Sequence, residues 1–282
     1  MVPRRVTDLS TVRSFLAEAG VRPRKSLGQN FLVNPTVVDE IQEQLLKRHP
    51  GCVVEIGPGL GALTSAIADV VAAVVAVEID PRLSKELSRR LQEATNVTVW
   101  TRDVLTVDFS TEFDSPVWVV GSLPYRITTP ILKHLIDHRD SVQGASLITQ
   151  WEVAQKICDS PGKSGSALGV FVQAYASVSG LRRIGRKSFF PVPEVDSAHW
   201  EMEFLEAPRF SAKEDVFFRV VRTLYRSRRK MVRRALKDLI APNQIAEVLS
   251  CAEIDGTARG DTLSMKELDR LALALEERSK DV

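Results

Sequence analysis

The residues whose types and spacing best fit a chemical task are Ser122-Leu123-Pro124-Tyr125. Together they offer a hydroxyl, main-chain carbonyls and an aromatic ring on a stiff turn. A planar base carrying an exocyclic amine fits such a set. Ser122 and a carbonyl at Leu123 or Pro124 would accept from the amine, and Tyr125 would stack on the ring. The same four residues also fit an ordinary strand-ending turn with a packed tyrosine, so the surrounding elements must decide.

The apolar run Val117-Trp118-Val119-Val120 reads as a buried strand. Pro124 cannot donate to a sheet ladder, so the strand ends there. In an α/β sheet, ligands bind at the carboxyl ends of strands. A second candidate lies upstream. Cys52 to Ile56 is a short apolar strand, followed by Gly57-Pro58-Gly59-Leu60-Gly61 and a helix over Ala62 to Ala68. Glycines there let a ligand approach the backbone in front of a helix amino terminus. The spacing is GxGxG and not the GxGxxG of dinucleotide sites. With the acidic Glu55 before it, it resembles the first motif of S-adenosylmethionine (SAM) methyltransferases. Glu55 would repel a pyrophosphate, and SAM has none. Val74 to Val77 reads as the next strand, ending in Glu78-Ile79-Asp80. Glu78, at a strand end 21 residues after Gly57, is placed to take both hydroxyls of a ribose. Asp80 caps the following helix, with Pro81 at its first position. Asn96 to Trp100 is a third strand, and Asp103 just beyond it could accept from an adenine amino group.

The remaining elements frame these motifs. Residues 1–24 are basic, with a helix over Leu9 to Ala19 after a loose arm. Residues 25–32, Lys25 to Leu32, read as a loop over a pocket or as a plain linker. Asn34 and Pro35 start a helix. Thr129-Pro130 starts another, on which His134 and His138 sit four apart. No third ligand accompanies them, so they read as a surface pair and not a metal site. Ala145 to Thr149 is a strand, Trp151 to Cys158 a helix, Val170 to Val178 a strand and Ala198 to Phe204 the last strand. Between these lies the aromatic, proline-rich loop Ser188 to Ser197. Ala207-Pro208 marks a boundary, beyond which the pattern is helical. Ser211 with Glu214 and Ser264 with Glu267 read as capping boxes.

At 282 residues there is room for one large domain and one small one. Net charge is only +2, but residues 181–240 hold 15 Lys/Arg against 8 Asp/Glu, so a local +7 faces about −5 elsewhere. Between Arg222 and Lys237 there are eight basic residues and no acid. Arg222, Arg226, Arg228, Arg229, Lys230, Arg233 and Arg234, with Tyr225 interleaved, read as a phosphate-binding helical face. Cys52, Cys158 and Cys251 are far apart, which implies neither a disulfide frame nor a zinc site. With no signal-peptide pattern and no transmembrane run, the expectation is a soluble cytoplasmic protein with no membrane partner.

Nearly end to end, the chain resembles the ribosomal RNA adenine N6-dimethyltransferases of the KsgA type. The resemblance rests on KSLGQNFL (25–32), VEIGPGLGALT (54–64), VEID (77–80), RDVL (102–105), GSLPY (121–125), FFPVPEVDSA (189–198), RSRRKMVRRAL (226–236) and RGDTLSMKELDRLA (259–272). It implies an α/β fold: a Rossmann-like SAM-dependent methyltransferase domain with a mixed, mostly parallel seven-stranded sheet over 1–207, and a small all-helical RNA-engaging domain over 208–282. It implies SAM contacts at Asn30, Leu32, Gly57, Glu78, Asp103 and Ser122, with Gln29, Glu55, Gly59 and Gly61 lining the same pocket. The target adenine would sit between Tyr125 and Phe189, beside Leu123 and Pro124. The implied reaction is dimethylation of two adjacent adenosines near the 3′ end of small-subunit rRNA. The implied partners are that RNA and the maturing small subunit; a monomer without metal is expected. The family usually carries Asn where this chain has Ser122, a shorter hydroxyl that can turn either way.

Two alternatives stay open on sequence. One is the related large-subunit rRNA adenine methyltransferase of the macrolide-resistance type, which shares the catalytic core; VDSA (195–198) and the helical tail favour the small-subunit enzyme. The other is a non-catalytic ribosome-assembly factor that keeps the fold, which Ser122 makes worth weighing. A small-molecule methyltransferase would have no use for the basic helix.

Overall fold

The structure is a computed structural model that describes residues 6–18, 20–24, 27–124, 127–162 and 165–278. In chain order the elements are α1 (Leu9–Glu18), β1 (Phe31–Leu32), α2 (Pro35–Arg48), β2 (Cys52–Ile56), α3 (Ala62–Ala68), β3 (Ala73–Glu78), α4 (Pro81–Arg90) and β4 (Val97–Thr101). Then come β5 (Val117–Ser122), α5 (Thr128–Asp137), β6 (Val142–Gln150), α6 (Trp151–Cys158), α7 (Ala167–Tyr175), β7 (Ala176–Ile184), β8 (Phe189–Phe190) and β9 (Ser197–Phe204). The last are α8 (Glu214–Arg226), α9 (Val232–Ala235), α10 (Ile245–Cys251) and α11 (Met265–Arg278).

Seven strands form one sheet in the order β4-β3-β2-β5-β6-β9-β7, and β1 pairs with β8 in a separate two-stranded ribbon. The pairs β4–β3, β3–β2, β2–β5 and β5–β6 are parallel, and β9 runs antiparallel to β6. This is a Rossmann-like, mixed and mostly parallel sheet. Strand order reverses at β2, which has β3 on one side and β5 on the other, so the crevice between the carboxyl ends of β2 and β5 is the topological switch point. The register pairs Ile56 with Gly121 and Val77 with Ile56, which sets the glycine turn, Ser122 and Glu78 side by side.

Local signals account for the helices that flank this crevice. Asn34 accepts from Thr36 N–H at the start of α2, Asp80 accepts from Arg82 N–H at the start of α4, and each is followed by proline. Val38, Ile41 and Leu45 of α2 pack with Leu63 and Ile67 of α3 against Val53, Trp118 and Val120. Leu87 of α4 and Leu91, just past its end, pack on Ala76.

Two compact units emerge. One comprises 1–154 with 179–204, and the other 155–178 with 205–282. The sequence boundary at 207/208 falls close to the second division, but 155–178 group with the helical unit. The reason is aromatic packing: Phe171 and Tyr175 of α7 join Phe210, Phe217 and Phe218, with Phe210 stacked on Phe217 at 4.4 Å. The expected strand over Val170 to Val178 is therefore corrected. Residues 167–175 are helical, capped by Ser166 accepting from Gly169 N–H at 2.9 Å, and the strand starts only at Ala176. An unbroken apolar run fits a buried helix as well as a buried strand. Of the two expected capping boxes, Ser264–Glu267 forms in both directions. Ser211–Glu214 does not: the Ser211 and Ala212 N–H groups donate to Asp269 at the foot of α11 instead.

Candidate active site

A cleft lies at the switch point, with about 750 Å³ of empty space when its open mouth is counted. It is lined by Gln29, Asn30, Leu32, Glu55, Gly57, Gly59, Glu78, Ser122 and Pro124, which places most of the sequence-derived cofactor residues on one surface. The ends of three strands, β2, β3 and β5, and the 27–32 segment converge to make it.

Its acids are held in distinct ways. Glu78 is 4 % exposed; its Oε2 accepts from Gly59 N–H at 3.1 Å and its Oε1 from Asp80 N–H at 2.9 Å. Burial raises its pKa, against the pull of those N–H groups. Glu55 is 2 % exposed, and its Oε2 has no hydrogen-bond partner among the described residues. Burial pushes Glu55 up to about 8, with Glu78 adding to the shift. Asp80 is buried beside them, and the Arg82 guanidinium holds it down at about 2. The Gln29 amide donates to Asp80 Oδ2 at 3.1 Å and accepts from Arg24 N–H at 2.8 Å, which fixes the 27–32 segment against the start of α4.

Gly57 (φ +65°) has nothing within 4 Å of where a Cβ would stand, so its backbone faces open space in the cleft. Gly61 (φ +83°) differs: a Cβ there would meet Leu87 at 2.5 Å. Gly61 packs the turn on α4 and is not among the residues that line the cleft. Asp103 lies outside the lining as well, with Oδ1 accepting from Leu105 N–H at 3.0 Å. It follows Arg102, whose N–H donates to the Glu78 carbonyl at 3.1 Å, so it stands near the mouth of β3.

At the other end, Ser122 is half-buried and lines the cleft with Pro124, while Leu123 is buried. The Pro124 carbonyl accepts from Ile127 N–H at 3.1 Å and from the Thr128 hydroxyl at 3.3 Å. Tyr125 lies outside the described residues, as do Lys25 and Ser26 of the 25–32 motif. Phe189 departs from expectation. It is 3 % exposed, pairs with Leu32 across the β1–β8 ribbon and packs in the core with Val37, Val38 and Ile184. Its ring is not open to a base; the motif places the residue but not which way it faces.

Sequence reasoning missed the apolar walls. Phe31, Leu60, Leu63, Ile79 and Leu83 line the cleft. Ile79, half exposed between two acids at a strand end, carried a local signal; the others become wall only through packing. His134 and His138 are a half-buried pair with ring centroids 4.5 Å apart, each bonded to a backbone carbonyl. Among the described residues no group of side chains could hold a metal ion, and no helix is long and apolar enough to cross a membrane.

In the helical unit, Arg222, Arg226, Arg228, Arg229, Lys230, Arg233 and Arg234 are all exposed. They do not share one helix as expected: α8 ends at Arg226, residues 227–231 turn, and α9 carries Arg233 and Arg234. Arg226 pairs with Asp238 at 3.0 Å, and Arg228 lies 5.6 Å from the Tyr225 ring.

The cleft suits SAM. Two buried acids, one with an unpartnered oxygen, match a cofactor that carries cationic groups and no phosphate; the apolar walls match its adenosine. The comparisons agree. The chain is 39% identical over 276 residues to a ribosomal RNA small subunit methyltransferase A of Moorella thermoacetica, covering 93% of this chain and 96% of that one. It is 36% identical over 286 residues to the Streptococcus pyogenes serotype M3 protein of the same name, covering 97% and 99%. Among solved structures, the 23S rRNA methyltransferase ErmE superposes with a TM-score of 0.71 at 27% identity, over 88% of this chain and 100% of that one. A dimethyladenosine transferase from Plasmodium falciparum shares the fold with a TM-score of 0.76 at 23% identity, over 88% and 98%. The family model for ribosomal RNA adenine dimethylases matches residues 20–276, and the chain belongs to that family of SAM-dependent enzymes.

Proposed function

We propose that the chain transfers methyl groups from SAM to N6 of two adjacent adenosines in a loop near the 3′ end of small-subunit rRNA, during maturation of that subunit. One observation carries the reading: the acid-lined cleft at the switch point ends at Ser122 and Pro124, so a methyl donor in the cleft and a base at the motif share one mouth. When bound, SAM supplies an electrophilic methyl group. The chain's own groups do the rest.

Glu78 takes the ribose hydroxyls and Glu55 faces the cationic end. Gly57 lets the cofactor lie on the backbone, and Asn30 and Leu32 close the near side. Asp103, next to the mouth of β3, takes the adenine amino group. The target N6 is a weak nucleophile because its lone pair is delocalised into the ring. Ser122 Oγ and one carbonyl accept from its two hydrogens and favour a pyramidal nitrogen. Both lone pairs of the Pro124 carbonyl are taken by Ile127 and Thr128, so the accepting carbonyl is that of Leu123. Tyr125 stacks on the base and offsets the cost of unstacking it, by about 1–3 kcal/mol. No general base is needed, because the methylated amine is acidic enough to lose its proton to water. Holding N6 in line with the methyl group supplies much of the acceleration. The exposed arginines of 222–234 bind the phosphates of the RNA as a monomer docks on the maturing particle.

The test is transfer from labelled SAM to small subunits lacking the modification, with large-subunit RNA in parallel. Label in the small-subunit RNA alone is expected. Label in large-subunit RNA would move the chain to the macrolide-resistance activity. No transfer to either, with SAM and RNA both bound, would leave an assembly factor.

A further inference from the structure

Residues 1–5, the greater part of the arm expected before α1, lie outside the described residues, but from Val6 onward the amino-terminal segment is packed. Val6 and Val12 are fully buried and line the cleft, and with Leu16 and Val21 they pack on Phe31, Leu60 and Leu83. Helix α1 is therefore a wall of the same cleft that holds Gly57 and Glu78. Two cations fasten it. The Arg13 guanidinium lies 5.2 Å from the Phe190 ring centroid, and the Arg90 guanidinium lies 4.1 Å from that of Phe15.

Arg90 does more than touch α1. It ends α4, the helix capped by Asp80, two residues after Glu78. Its Nη1 donates to the carbonyl of Leu60, the residue between Gly59 and Gly61. One half-buried guanidinium thus joins α4, the glycine turn and α1. Planarity allows this: a guanidinium stacks on a ring with its face while its edge donates in plane. An ammonium has no such face and edge. Burial of the cation lowers its pKa, which marks a group partly stripped of water.

We infer that Arg90 is a positioning residue for the cofactor, clamping α1 through Phe15 onto the glycine turn so that the cleft keeps its fourth wall. This rests on the cleft being the SAM site. Arg90 touches neither reacting atom, so its loss affects how tightly the cofactor is held and not the rate of transfer once it is in place.

The experiment uses the full chain with Arg90→Met, Arg90→Lys, Phe15→Ala and Phe15→Trp, and reads SAM and S-adenosylhomocysteine affinity by calorimetry beside KM and kcat. Arg90→Met and Phe15→Ala are each expected to raise Kd and KM for SAM roughly tenfold, with kcat at saturating SAM within about twofold. Their double variant should lose little beyond either single one, because both break the same clamp. Phe15→Trp should retain affinity, since indole is the better face for a cation. Arg90→Lys should restore it only in part. Lowered melting temperature with unchanged SAM affinity would overturn the inference, as would an equal fall in kcat and kcat/KM. If Arg90→Met fails to fold, Phe15→Ala carries the test from the other side of the contact. Glu78→Gln serves as the reference. If it too leaves SAM affinity unchanged, the cleft is not the cofactor site and the inference falls with it. If it weakens SAM while Arg90 and Phe15 variants do not, the inference alone fails.

Discussion

Glu78→Gln is expected to weaken SAM binding on the order of 100-fold while leaving RNA binding intact. The carboxylate is fixed at the end of β3 by the Gly59 and Asp80 N–H groups, at 3.1 and 2.9 Å, and so is preorganised before any ligand arrives. Each of its oxygens keeps lone-pair capacity for a ribose hydroxyl. Hydrogen bonds to a charged acceptor contribute roughly 1.5–3 kcal/mol each. A carboxamide has one oxygen, and its NH2 would face one of the two N–H donors that now hold the side chain. Losing about 2.7 kcal/mol corresponds to the expected factor. Calorimetry with SAM, and a separate binding measurement on unmodified small subunits without SAM, check both halves. A loss of RNA affinity of the same size would mean that Glu78 holds the fold and not the cofactor.

The second large effect concerns Glu55. In the unfolded chain its carboxyl titrates near the ordinary 4.5; in the fold it titrates at about 8. Between those values the folded protein holds a proton that the unfolded chain has released. Stability is therefore greatest below about pH 4.5 as far as this group is concerned, and it is lost progressively as pH rises toward 8. At pH 7 the loss is on the order of 3 kcal/mol, at 1.36 kcal/mol per unit. Glu55→Gln should then raise the melting temperature of the cofactor-free protein at pH 8 far more than at pH 5. The raised Glu78 acts in the same direction, so the variant flattens the profile without levelling it. Cationic SAM favours the ionised Glu55, and calorimetry in buffers of different ionisation enthalpy should show a proton released on binding at pH 7, absent in Glu55→Gln. A wild-type stability that does not fall between pH 5 and 8 would show that water or relaxation reaches this carboxyl.

Much of the cofactor half of the site was legible in the sequence, because its signals are local. Glycine spacing, an acid at the end of the next strand and an Asn or Asp before proline each fix a turn or a cap on their own. The register of β2, β3 and β5 then brings Gly57, Glu78 and Ser122 together without further information. What escaped depends on contacts between distant segments. Phe189 belongs to a quoted motif, yet its ring faces the core, since a motif fixes a residue's place and not its side chain's direction. The strand expected over Val170 to Val178 became α7, because Phe210, Phe217 and Phe218 lie far along the chain from Phe171 and Tyr175. The fourth wall of the cleft was hidden for the same reason: nothing in Val6 or Val12 announces that Phe31, Leu60 and Leu83 will cover them.

If the cleft holds SAM, it and the motif at Ser122 are expected to place two methyl groups on N6 of adenosine in small-subunit RNA. The most direct measurement digests small-subunit RNA after reaction with labelled SAM and separates the nucleosides by mass. The expected product is N6,N6-dimethyladenosine at two adjacent positions, with Ser122 supporting both transfers. Monomethyladenosine as the end product would contradict it and place the limit at the hydroxyl that stands where the family usually has a carboxamide.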